Sequence, residues 1–165
     1  MDRQQILLAK ALDAAGVSLN VDTFDDRLIL QKTVYLLQAA GVHLGYRFRW
    51  YLRGPYSPDM TAAAFGISEE GESARSELVR WKLDSDSASR VRNLKPLLHV
   101  DGEQKAKLAR RLELLASVLF LIKTEQTKAN DFEATSKILK SNGKQFDASE
   151  VRNAVSELKK YGVLA

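Results

Sequence analysis

The sequence predicts a mainly α-helical domain with a small β element. Apolar residues recur at three-four spacing over most of the 165 residues. One stretch, 46–53, alternates with period two instead. Glycines and cap-forming Asp, Ser and Thr punctuate the helical stretches.

Residues 3–15 read as the first helix. Positions 6, 7, 10, 11 and 14 set its period, and Gly16 suits its end. The connector from Asn20 to Asp26 offers Thr23 or Asp25 as the next cap. A second helix spans about 25–40, and Leu28, Leu30, Val34, Tyr35 and Leu37 give it a wide apolar face. A central position is expected for it. In Tyr46–Arg53 the period changes. Tyr46, Phe48, Trp50 and Leu52 fall on one side; Arg47, Arg49, Tyr51 and Arg53 fall on the other. This predicts a half-buried strand or hairpin, stopped by Gly54-Pro55. Ser57 before Pro58 matches an N-cap with proline at the first helical position, and that helix should run from 58 to about 64 and end near Gly66.

The pattern weakens from 66 to 84. Ser68-Glu-Glu-Gly71 reads as a loop or cap, and Leu78, Val79 and Trp81 fit a short helix or strand. Asp84–Ser89 is a polar linker; 88–95 is weakly helical, with Pro96 inside the helix or at its edge and restricting Lys95. The strongest helix spans about 102–127. Leu108, Leu112, Leu115, Leu119 and Ile122 recur along it, widened by Leu114, Val118 and Leu121. It should pack against the 25–40 helix. Asn130 or Asp131 caps a shorter helix ending near Asn142-Gly143. Asp147-Ala-Ser-Glu150 reads as a capping box for the last one, which Gly162 ends. One domain over 1–165 is expected, with the helical pair 129–165 as an alternative subdomain, winged-helix-like in one reading.

Hydrophobic residues make up 45% of the chain, which argues for a folded core. With no cysteine, disulfides and thiolate metal sites are excluded. The net charge of +4 is mild and acids are interleaved throughout, so charge alone does not single out nucleic acid. The N-terminus lacks a signal-peptide layout, and the longest apolar run, Leu112–Ile122, holds Glu113 and is too short for a bilayer. A cytoplasmic protein without a membrane partner is expected.

Little in the sequence suggests catalysis. His43 and His99 lie in no metal-ligand spacing. Asp22, Asp25 and Asp26 read as caps and solvated surface, as do Glu69, Glu70 and Glu72. No glycine-rich phosphate loop occurs. The expectation is a non-enzymatic protein with no cofactor and no metal.

Two motifs point elsewhere. The helix at 25–40 contains Leu30-Gln31-Lys32-Thr33-Val34-Tyr35-Leu36-Leu37-Gln38, and Trp50-Tyr-Leu-Arg-Gly54-Pro55-Tyr-Ser57-Pro58 follows. The first resembles the L-Q-K-x-x-Y-x-x-Q signature of the Panacea, or SocA-like, antitoxin domain. The second resembles that family's aromatic strand running into Gly-Pro, in the form seen in YwgA-like bacterial proteins. The match covers about 24–65, and Tyr56 stands where many such domains carry Val or another small residue. The resemblance implies direct binding of a protein partner, in bacteria or phages: a toxin that is neutralised, or a protease to which a toxin is delivered. It implies no catalytic residue.

The residues themselves give the motif a physical reading. Gln31, Tyr35 and Gln38 share a helix face with Lys32 beside them. Gly54-Pro55 offers free carbonyls, so Gln31 or Tyr35 is expected to latch that turn to the helix. Arg47, Arg49, Tyr51 and Arg53 project away from the core and are of the types that dominate interface hot spots. They are the expected partner-binding face; the alternative is a charged outer face guarding a strand edge. The rival function is DNA binding by the last helix through Arg152, Asn153, Lys159 and Lys160. Glu150 and Glu157 near the same surface, and the long connector 141–147, speak against it. Whether the chain forms a homodimer is left open.

Overall fold

Two long helices set the frame: α2 (Phe24–Ala39) and α6 (Lys105–Lys123). In this computed structural model, which describes residues 1–165, they make the most extensive helix–helix contact of the molecule. Both are buried around much of their circumference, as their wide apolar stripes require. α1 (Arg3–Ala14) and α3 (Pro58–Glu70) lie on one side, followed by α4 (Glu72–Leu78) and α5 (Ser85–Leu98). α7 (Phe132–Ser141) and α8 (Ala148–Lys160) close the chain. Leu139, Phe146, Val151, Val155 and Leu158 of this last segment belong to the same buried cluster as Leu12, Leu37 and Leu94.

Local chemistry sets most boundaries. Thr23 is the α2 cap, in a reciprocal box with Asp26. Ser57 caps α3 with Pro58 at its first position, and Asp131 caps α7. Asp147 caps α8, but Glu150 does not complete a box; its carboxylate takes Arg110 at 2.7 Å. α1, α7 and α8 end as Gly16, Gly143 and Gly162 suggested. At Gly16, for example, φ is 74° and Val17 N–H closes onto Leu12 C=O at 2.9 Å.

Several expectations need correction. α3 runs through Gly66 to Glu70, because Met60, Ala64 and Ile67 keep burying the same face. Gly66 is instead where the end of the Gln5 side chain approaches, which a Cβ would have to push aside. Ser68–Glu70 belong to α3 and Gly71 caps its end, so the cap reading of this stretch holds and the loop reading does not. α4 is the short helix expected near Leu78, but it stops there and leaves Val79 and Trp81 outside it. α5 begins at Ser85, inside the stretch read as a linker and capped by Asp84, and reaches Leu98; Pro96 lies within its last turn, where it has no N–H to give back to the helix ladder. α6 covers its whole stripe but is shorter than the expected 102–127, starting at Lys105. It ends at Lys123 because Glu125 turns left-handed, φ 60°, and Gln126 N–H closes onto Leu121 C=O at 2.9 Å.

The β element is a hairpin. β1 (Arg49–Tyr51) and β2 (Gly54–Tyr56) pair antiparallel, with Arg49 opposite Tyr56, Trp50 opposite Pro55 and Tyr51 opposite Gly54. Gly54-Pro55 therefore begins the return strand and does not merely stop the first. The alternation holds from Tyr46 to Tyr51. It fails at Leu52, which is 74% exposed at the hairpin tip and not inward-facing. Residues 161–165 form a turn, so no strand follows α8 as a wing. No helix is long and apolar enough to cross a membrane.

Candidate functional site

Two glutamines hold the segment 46–57 at its two ends. Gln38 donates to Tyr46 C=O and accepts from Tyr46 N–H, both at 2.9 Å. Gln31 does the same at Ser57, donating at 2.8 Å and accepting at 2.9 Å, and also donates to Thr61 Oγ1 at 2.6 Å. Each amide thus meets the backbone of one residue as a neighbouring strand would. They lie two helical turns apart on α2, so one helix sets the spacing of both ends. Tyr35 plays no part in the latch. Its ring packs against Phe48 and Phe120, at centroid separations of 5.3 and 6.0 Å, and burial pushes its hydroxyl pKa well up.

Two buried lysines hold the hairpin from beneath. Lys32, 1% exposed, donates to Pro55 C=O at 2.7 Å. Lys144, 4% exposed, reaches from the α7–α8 connector to Leu52 C=O at 2.6 Å. One buried carboxylate serves both the tip and the connector: Glu113 lies 3.7 Å from Lys144 and 3.5 Å from Arg53. Burial pushes the Lys32 amine down to about 7; Glu113 opposes that shift, while Lys144 and Arg53 reinforce it. Burial likewise lowers Lys144, against Glu113. Ser117 Oγ sits under Gly54 with no hydrogen-bond partner. Trp50 completes the support: its ring stacks near Phe120 at 5.6 Å, and its N–H reaches Asn142 at 3.3 Å.

Above these anchors the hairpin is open. A groove of about 510 Å³ runs between α2, α3 and the hairpin. Phe24, Tyr51, Leu52 and Phe65 line it, and each is exposed. Arg53 lies over the Phe24 ring at 5.4 Å, and Tyr51 meets Tyr56 at 5.5 Å.

The structure therefore divides the residues singled out from the sequence. Gln31, Lys32, Gln38, Gly54, Pro55, Ser57 and Pro58 build and brace the hairpin. Leu30 is core, 1% exposed. Tyr51 and Arg53 enter the groove; Arg47 and Arg49 are exposed, pair with no carboxylate and lie outside it. Phe24, Phe65 and Lys144 escaped the sequence reading. Glu113 left a signal, as the one charge within a long apolar run; Lys144 left none.

The α8 residues form a different surface. Arg152 packs over Phe132 at 5.3 Å and Lys160 over Tyr161 at 5.5 Å; Asn153 and Lys159 are exposed. The two histidines do not meet: His99 lies 3.1 Å from Asp101, and no group of three potential metal ligands converges anywhere. Comparison with protein-family models, with curated proteins and with solved structures found no match.

Proposed function

We propose that this chain is a non-enzymatic interaction module that works in the cytoplasm and binds a partner protein directly through its hairpin. One observation carries the reading: the hairpin is tied down at both ends and from beneath, yet its outer face is left bare. Tyr51 is 58% exposed, Leu52 74%, and the Arg53 side chain 59%. Large side chains held in place before binding lose little conformational freedom on binding, and Tyr and Arg are the usual anchors of such contacts. Arg47 and Arg49, exposed and unpaired, extend the same face. The motifs at 30–38 and 50–58, which resemble those of Panacea and SocA-like antitoxins, supply the residues that brace the hairpin. By that resemblance the partner is a toxin, masked one to one, or a protease to which the toxin is handed.

The test is a nuclease-treated pull-down of tagged protein from its native cells, compared with Arg47→Glu/Arg49→Glu and with Leu52→Asp. The expected result is one stoichiometric protein, lost or strongly depleted in both variants while their melting temperatures hold. No protein partner, with nucleic acid co-purifying in a parallel sample spared the nuclease and reduced by Arg152→Glu/Lys159→Glu, would overturn the reading and move the activity to α8.

A further inference from the structure

We propose that the groove between α2, α3 and the hairpin receives an acidic, apolar segment of the partner protein. This rests on the reading of the chain as a protein-interaction module and gives that partner a chemistry. Seven large hydrophobic side chains are exposed on the whole molecule, and four of them, Phe24, Tyr51, Leu52 and Phe65, line this one groove. Apolar exposure concentrated in this way marks a contact surface, whereas scattered exposure needs no explanation.

The charge is equally one-sided. Arg27, Lys32 and Arg53 line the groove and no carboxylate does. Arg27 is held by two backbone carbonyls, those of Val21 at 2.7 Å and Asp22 at 3.3 Å, and has no acidic partner. Lys32 donates to a carbonyl and lies within 4 Å of no acid. Arg53 reaches Glu113 only at 3.5 Å, and Glu113 lines the adjoining cleft and is shared with Lys144. Cations between aromatic walls, with no carboxylate in the groove itself, favour a ligand that brings both apolar groups and carboxylates. Polar groups stand ready on the α3 side, where Thr61 bridges Gln31 and the Tyr56 hydroxyl at 2.6 and 3.2 Å. A basic segment would meet the exposed Arg53 and the acid-free Arg27 with no carboxylate in the groove wall to offset them, so the groove also discriminates.

The experiment selects binders from a library of random linear peptides displayed against the purified full chain. Enriched peptides are then measured by fluorescence polarisation on the native protein and on two groove variants, Phe24→Glu and Arg53→Glu. Phe24 is exposed at the first position of α2, where an acid favours the helix, so that variant keeps its fold. Enrichment of peptides carrying Asp or Glu beside Leu, Phe, Ile or Trp is expected. Their affinity should fall about tenfold or more in both groove variants and stay unchanged in Arg92→Glu, an exposed charge on α5 that does not line the groove. Neutral or basic consensus peptides, peptides indifferent to both groove variants, or no enrichment would each overturn the inference. A partner captured in the pull-down and retained by Phe24→Glu would overturn it while leaving the interaction module itself standing.

Discussion

Gln31 meets Ser57 with both ends of its amide, in a place where Ser57 is fully buried. Removing that amide leaves a buried N–H and C=O without partners. Gln31→Ala should therefore cost about 2–4 kcal/mol in chemical denaturation, more than Gln38→Ala, whose partner Tyr46 is less enclosed and can recruit water. Equal costs would mean that the Ser57 end is not the tighter clamp. Lys32, the next residue, makes a pH prediction. Its amine is free of its proton above about 7 in the fold but only above 10.5 in the open chain. Across that window the unfolded state binds the extra proton, so stability rises with pH, by at most about 1.4 kcal/mol per pH unit from this residue. Below the window both states are charged and the contribution is flat. Urea titrations should show that slope in the native protein and a shallower one in Lys32→Met; parallel slopes would refute the buried-amine account. Periodicity placed Gln31 and Lys32 on the correct side of α2, and the free carbonyls of Gly54-Pro55 suggested a latch. The choice of Gln31 and Lys32 over Tyr35 was not legible. It depends on how deep the hairpin sits, which Phe48 and Phe120 decide by taking up the tyrosine ring.

The hairpin is too short to stabilise itself. Its two three-residue strands hold because α2 and α6 press on β2 from below. Gly54 is the point of closest approach. Its φ is 92°, and a Cβ there would collide with Ser117 Oγ. Gly54→Ala combines backbone strain with that collision and should cost about 2 kcal/mol or more, read as a lowered denaturation midpoint. Ser117→Ala should do the opposite, since it removes a buried hydroxyl that has no partner; a gain of up to about 1 kcal/mol is expected. If Ser117→Ala destabilises, the hydroxyl has a partner that the geometry does not reveal. Period-two alternation announced β1, but β2 was hidden, because Gly54-Pro55-Tyr56 is too short to show a period and begins with two residues that usually break strands. The end of α6 was hidden for a related reason: Glu125 adopts a conformation that glycine usually marks.

At the scale of the molecule, the hairpin couples segments far apart in the chain. Lys32 comes from α2 and Lys144 from the α7–α8 connector, and both end on hairpin carbonyls. The C-terminal helices, in which the sequence suggested a separate subdomain or a DNA-reading unit, thus help to hold the hairpin tip. The two roles of Lys144, global and local, separate in Lys144→Met. The variant loses a hydrogen bond to Leu52 C=O but also a buried charge, while Glu113 keeps Arg53 as a partner. With Arg53 still on Glu113, the loss of global stability should stay well below the roughly 3–5 kcal/mol of a fully orphaned buried charge, at about 1 kcal/mol. The hairpin tip has no such compensation. Hydrogen exchange at residues 50–56 should quicken about tenfold while the amides of α1 and α5 keep their protection. Partner binding should weaken with it, although Lys144, 2% exposed in its side chain, is not itself part of the bare face. Unchanged exchange at the tip would mean that α2 alone sets the hairpin, and that α7 and α8 contribute only their share of the core.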